Sequence, residues 1–119
     1  MKRILVVEDN PKNLELITVI LEMDYEVLTA CDGIEGVDAA KRERPDLILM
    51  DLSMPELDGW GALTFIRQDE SVAHIPIVAV TAHALKGDRE KALAHGFDEY
   101  VTKPIDPVAL LDAVEKFLG

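Results

Sequence analysis

Three carboxylates, one hydroxyl and one ammonium group stand where short apolar runs of the chain stop. Glu8-Asp9 follow Ile4–Val7, Asp51 follows Leu47–Met50, Thr81 closes Ile75–Thr81, and Lys103-Pro104 follow Glu99–Thr102. A bare carboxylate at the edge of a core is costly unless something pairs with it. Three that share one rim repel unless a cation sits among them. Carboxylate oxygens, a backbone carbonyl and water are the donors Mg²⁺ prefers. A divalent cation, an exposed carboxylate, a lysine and an alcohol together make a site for a tetrahedral anion. Phosphoryl transfer to Asp51 would use all of them, with Asp51 as nucleophile and metal and Lys103 as charge neutralisers.

These groups meet only if the elements that carry them bring their ends to one place. The first strand is read as Ile4–Val7, and Asn10-Pro11 opens a helix, since Asn caps well and Pro suits the first helical position. Leu14, Ile17 and Leu21 recur on one face of that helix. Tyr25–Ala30 is the second strand, and a helix from Ile34 to Arg44 stops at Pro45. Leu47–Met50 is the third strand, followed by a helix from Gly59 to Gln68. Ile75–Thr81 is the fourth strand, and Lys86–His95 a helix that ends at Gly96. Glu99–Thr102 is the fifth strand, and a last helix runs from Asp106-Pro107 to Leu118.

Strands that alternate with helices imply a parallel sheet with right-handed crossovers and helices on both faces. Near-continuous apolar runs such as "ILVV" and "LILM" agree, because central parallel strands are buried on both sides. The fold class expected is therefore α/β. It is a doubly wound, flavodoxin-like sheet of five parallel strands in the order 2-1-3-4-5, flanked by five helices. Such folds bind ligands outside the carboxyl ends of the strands, at the switch point in strand order. In that order strands one and three are neighbours, which puts Glu8, Asp9 and Asp51 on one rim.

Composition narrows the classes of function. A chain of 119 residues, 49% hydrophobic, suggests a single globular domain rather than a disordered segment. A formal net charge of −11 opposes direct DNA or RNA binding. The single cysteine, Cys31, cannot form an internal disulfide, which fits a reducing, cytoplasmic setting. No apolar run approaches the roughly 18 residues that span a bilayer, and the one at the N-terminus is too short for a signal peptide.

Taken in order, Glu8-Asp9 after "ILVV", Asp51 in "LILMDLSMPELDG", Thr81 in "VAVTAHA", Tyr100 and Lys103-Pro104 resemble the receiver domains of two-component response regulators. The resemblance covers essentially the whole chain. It implies one receiver domain over residues 1–119 with no output domain, a phosphoacceptor rather than an enzyme acting on other molecules. It implies Asp51 as phosphoacceptor and Mg²⁺, or Mn²⁺ in its place, as cofactor. Asp9 would be a direct metal ligand, Glu8 a ligand through water, and the carbonyl of Ser53 would complete the set with Asp51. Lys103, aimed by a cis peptide before Pro104, would pair with the phosphoryl oxygens. Thr81 would donate its hydroxyl and move with Tyr100 as a two-state switch. The side chains of Ser53 and His83 occupy positions that tune the lifetime of the acyl phosphate.

The partners implied are a histidine kinase or histidine phosphotransfer protein, and a downstream protein that meets the face of helix four, strand five and helix five. No nucleic acid or membrane is implied. Pro55 and Gly59 shape the loop after Asp51, and Asp24 stands where relatives usually have glycine, in a turn that would tolerate a left-handed residue. His74 and His95 read as surface residues, Trp60 as a partly packed helix residue, and Met23, Met50 and Met54 as core or edge filler. The same pattern fits the receiver segment of a larger hybrid kinase or regulator. An aspartyl-phosphate phosphatase would carry a second aspartate where Ser53 stands. A flavin carrier would need a Ser/Thr/Gly-rich loop where "EDNPKN" stands.

Overall fold

A computed structural model describes residues 1–82 and 87–119. The strands are β1 (Arg3–Val7), β2 (Glu26–Ala30), β3 (Leu47–Asp51), β4 (Ile77–Thr81) and β5 (Glu99–Thr102). The helices are α1 (Pro11–Leu21), α2 (Gly33–Glu43), α3 (Gly59–Gln68), α4 (Asp88–His95) and α5 (Pro107–Leu118). The strands form one parallel sheet in the order β2-β1-β3-β4-β5, as expected.

Successive side chains of a strand point to opposite faces, so each strand feeds two cores. Leu5, Val7, Ile48, Met50, Ile77 and Ala79 pack on one side with Val37, Ala40, Leu63, Ile66 and Ala92 from α2, α3 and α4. Ile4, Val6, Leu47, Leu49, Val78 and Val80 pack on the other with Ile17 and Leu21 of α1 and Leu110 and Val114 of α5. Both halves of each central strand are thus apolar, which is why "ILVV" and "LILM" show no alternation.

Side-chain caps start four of the helices. Asn10 accepts from the N–H groups of Lys12 and Asn13, Asp32 from Glu35, Asp58 from Gly61, and Asp106 from Val108. Helix α4 instead begins after Gly87, which provides no side-chain cap.

The observed boundaries depart from the sequence reading in a few places. β2 begins at Glu26 because the Tyr25 N–H turns back to the Leu21 carbonyl at 2.9 Å. β4 begins at Ile77: the Ile75 N–H closes a turn on Val72 at 3.1 Å, and Pro76 has no N–H to give the ladder. Helix α4 begins at Asp88, and Lys86 lies outside the described residues. Asp24 is not left-handed, since the non-glycine residues with positive φ are Arg44 and Glu56. Its turn closes through the Asp24 and Tyr25 N–H groups, both donating to Leu21. Arg44, with φ 48°, ends α2 ahead of Pro45. Met50 and Met54 lie in the core, but Met23 is 83% exposed and fills nothing.

Candidate functional site

Strand register decides which chemical groups meet. Val7 pairs with Met50, so the next residues, Glu8 and Asp51, lie side by side at the carboxyl end of the sheet. Asp51 pairs with Val80, and Thr81 with Thr102, so Thr81 follows on one side and Lys103 lies just beyond. The ladder continues past the strands: Leu52 N–H donates to Val80 at 3.0 Å and Lys103 N–H to Thr81 at 2.7 Å. The rim is therefore held by backbone bonds, and the side chains extend from a rigid base.

Oxygens of Glu8, Asp9 and Asp51 lie within 4.8 Å of one another. Glu8 and Asp51 are 1% and 3% exposed, while Asp9 is open to solvent. The Lys103 ammonium stands 2.7 Å from Glu8 Oε1 and 3.2 Å from Asp51 Oδ2. It follows the cis peptide between Lys103 and Pro104. Asp51 Oδ1 accepts from the Ser53 N–H at 3.1 Å, and Glu8 Oε2 from the Asn10 N–H at 3.1 Å. Glu8 Oε1 has the ammonium beside it but no aligned hydrogen-bond donor.

Burial pushes the Glu8 carboxyl up to about 7, helped by its hydrogen bond with Asp51 and against the pull of Lys103. Burial alone would lower the Lys103 ammonium, but Glu8 and Asp51 outweigh it and hold the group above the ordinary lysine range. One cation among three carboxylates leaves excess negative charge, and the ammonium beside the buried Glu8 Oε1 is poorly aligned to it. That is the condition a divalent cation relieves, and an all-oxygen donor set suits a hard one.

The expected exposed oxygen on Asp51 is not what the structure has. Asp51 is the last residue of a strand paired on its β4 side, and the chain beyond it stays bonded to Val80, so the carboxylate is recessed. Its neighbourhood is tightly drawn. A Cβ on Gly59 would meet the Asp51 carbonyl and, at 2.8 Å, Leu52 Cα, so only glycine lets α3 start this close to the end of β3. Between them the loop turns at Glu56, with φ 66°, where the Leu57 N–H donates to the Pro55 carbonyl at 2.8 Å.

Thr81 is buried at 2% exposure, and Tyr100 is half-buried one strand away. Both line a cavity of about 170 Å³ with Leu52, Ser53, Trp60, Asp88 and Lys91. Ser53 is exposed, and His83 lies outside the described residues. His74 and His95 are exposed as expected, yet the His95 ring packs edge-on to Trp60 with centroids 5.0 Å apart. Trp60 also meets Phe97 at 5.4 Å and the Lys91 ammonium at 5.5 Å. This tie between α3 and α4 was not read from the sequence. Lys91 and His95 stand four apart on α4, the spacing of one helical face, but nothing local links them to Trp60.

A doubly wound sheet with this acid-lined rim fits the class of phosphoacceptor signalling domains. Within that class the chain belongs to the response regulator receiver domain family, whose family model matches residues 4–115. It is 38% identical to the polar-differentiation response regulator DivK of Brucella anthropi, over 99% of this chain and 97% of that protein. It is 42% identical to the receiver domain of the sensor histidine kinase PA1611 of Pseudomonas aeruginosa PAO1, a structure with a magnesium ion coordinated in its active site cleft. That alignment has a TM-score of 0.91 and covers 99% of this chain and 98% of the other. The chemotaxis response regulator CheY4 of Vibrio cholerae is 27% identical with a TM-score of 0.90, over 98% of both chains. Among the described residues, no helix is long and apolar enough to cross a membrane.

Proposed function

We propose that Asp51 accepts a phosphoryl group from a phosphohistidine on a histidine kinase or histidine phosphotransfer protein, or from a small phosphodonor. The observation that carries this reading is the recessed Asp51 carboxylate between the Lys103 ammonium at 3.2 Å and the Glu8–Asp9–Asp51 oxygen cluster. A carboxylate oxygen of Asp51 attacks phosphorus, the bond from phosphorus to the donor nitrogen breaks, and the imidazole is left to take up a proton. Hydrolysis later returns inorganic phosphate. Lys103 neutralises charge on the phosphoryl oxygens, and the Ser53 N–H, already bonded to Asp51 Oδ1, orients the carboxylate.

Glu8, Asp9, Asp51 and the Ser53 carbonyl would hold Mg²⁺, or Mn²⁺ in its place, and the unaligned Glu8 Oε1 supports that assignment. The bound cation would supply charge neutralisation at the transferring group. The Thr81 hydroxyl would bond the arriving phosphoryl group, and Tyr100 would shift with it, altering how α4, β5 and α5 meet a downstream protein. The Ser53 and His83 side chains would set how long the acyl phosphate survives. The protein then takes part in its own phosphorylation and dephosphorylation, works in the cytoplasm, and binds neither nucleic acid nor membrane directly. A second reading makes the chain the receiver segment of a larger sensor kinase. The 42% identity to such a segment from Pseudomonas aeruginosa favours it.

The test is intact-mass spectrometry after incubation with Mg²⁺ and acetyl phosphate or phosphoramidate. Wild type gains one phosphoryl group, and Asp51→Asn gains none. A wild-type protein that binds Mg²⁺ without gaining that mass would overturn the reading.

A further inference from the structure

Helices α2 and α3 leave an apolar slot on the surface. It is lined by Ile34, Val37, Asp38, Leu57 and Phe65 and encloses about 190 Å³. Ile34 and Phe65 are 51% and 50% exposed, a large share for residues of that size. The floor is tight, because a Cβ on Gly33 would meet Leu57 Cβ at 2.8 Å and the Leu57 backbone closer still. Phe65 also forms the wall of a second depression with Lys41, Gln68, Asp69 and Glu70. Of the charges around the two, Lys41 faces Asp69 at 3.9 Å. Among the described residues no cation pairs with Asp38, Glu56 or Glu70.

We propose that this slot docks a protein segment that presents one large apolar side chain flanked by lysines or arginines. Three observations select that occupant. The slot is smaller than the roughly 300 Å³ at which small-molecule sites begin, but it suits a single side-chain anchor. The two depressions carry net acid, Asp38, Asp69 and Glu70 against Lys41 alone, so a basic flank is attracted and a phosphate-bearing surface repelled. A second copy is disfavoured, because a two-fold contact sets a patch against itself, here acid against acid on a chain of charge −11. The surface is separate from the phosphoacceptor rim, although Leu57 belongs to the loop that leaves Asp51. The inference does not depend on the role given to Asp51.

The probe is a synthetic amphipathic peptide with one phenylalanine on its apolar face and Lys/Arg flanks, compared with the same peptide carrying Glu at each basic position. Amide NMR of the whole chain should show shifts centred on Ile34, Val37, Leu57 and Phe65 with the basic peptide and none with the acidic one. The double variant Ile34→Ser/Phe65→Ser should weaken binding at least about tenfold, the loss expected of an interface anchor. Both positions are half exposed, so the variant should still unfold in one cooperative step, at a melting temperature a few degrees lower, and keep its mass gain with acetyl phosphate. Shifts centred elsewhere, equal binding by the double variant, or no binding up to the peptide's solubility would overturn the proposal. So would sedimentation showing a wild-type dimer that the double variant loses, which would make a second copy the occupant.

Discussion

At the scale of single residues, the rim combines charges that do not help the fold. Glu8, Asp9 and Asp51 place oxygens within 4.8 Å of each other, with the ammonium of Lys103 beside Glu8 and Asp51. Buried like charges lower stability, and burial, with a smaller push from Asp51, raises the Glu8 carboxyl to about 7. Asp51→Asn removes one charge and keeps the shape. In metal-free buffer it should therefore raise the melting temperature, by about 3–6 °C for a gain of about 1 kcal/mol in a domain of this size. The same substitution should remove most of the stabilisation that Mg²⁺ confers on wild type, because a ligand that binds only the folded state stabilises in proportion to its affinity. Thermal melts with EDTA and with Mg²⁺ measure both effects. A variant less stable than wild type without metal would show that Lys103 more than balances Asp51.

At the scale of elements, α4 is held among the described residues by contacts that include Ala92, Trp60 and Arg89. Ala92 is its one buried residue, it has no side-chain cap, and Trp60 packs against its outer turns. Its start is tied by Arg89 to Glu99 of β5 at 2.8 Å, and Glu99 also holds Lys116 of α5 at 3.0 Å. One carboxylate thus joins α4, β5 and α5. Burial pushes Glu99 up, but Lys116 and Arg89 outweigh it and hold the group below the ordinary glutamate range. A depressed folded pKa contributes stability that is complete above the unfolded value and is lost as pH falls through the folded one. Glu99→Gln should accordingly cost about 0.5–1 kcal/mol near neutrality, a modest figure because both cations are half exposed. The difference should vanish as pH falls from about 5 to about 3, which urea titrations across that range would show. A gap that persists at the acid end would assign the effect to packing instead. Elements of this kind were legible in the sequence where periodicity and caps agree, as at Asn10-Pro11 and Asp106-Pro107. They were not where a partner distant in the chain decides. The start of β4 is set by Pro76 and by Asp98, which accepts from the Ile77 N–H at 2.8 Å. The Trp60–His95 contact joins residues 35 positions apart. Glu8, Asp9, Asp51, Thr81 and Lys103 were legible because a parallel sheet gathers strand ends by topology alone. The recessed state of Asp51 was not, because it follows from how the loop after β3 stays bonded to Val80.

At the scale of the whole molecule, a net charge of −11 on 119 residues sets a background against which every site acts. Self-repulsion of this size destabilises the compact state and is screened by salt. Among the described residues, most of the ion pairs have at least one side chain a third or more exposed, so they resist screening little and contribute little. Raising KCl from about 20 mM to about 300 mM in EDTA should therefore raise the melting temperature, because the Debye length falls from about 20 Å to below 8 Å. A fall would mean that the surface pairs outweigh the repulsion. Mg²⁺ should act differently from bulk salt. Its effect at matched ionic strength should saturate, as site binding does, while that of KCl continues as screening does. Asp51→Asn separates the two: it should follow wild type in KCl and lose most of the saturable response to Mg²⁺. If the variant keeps the full Mg²⁺ response, the ion acts through the diffuse acidity of the surface and not through the three carboxylates at the ends of β1 and β3.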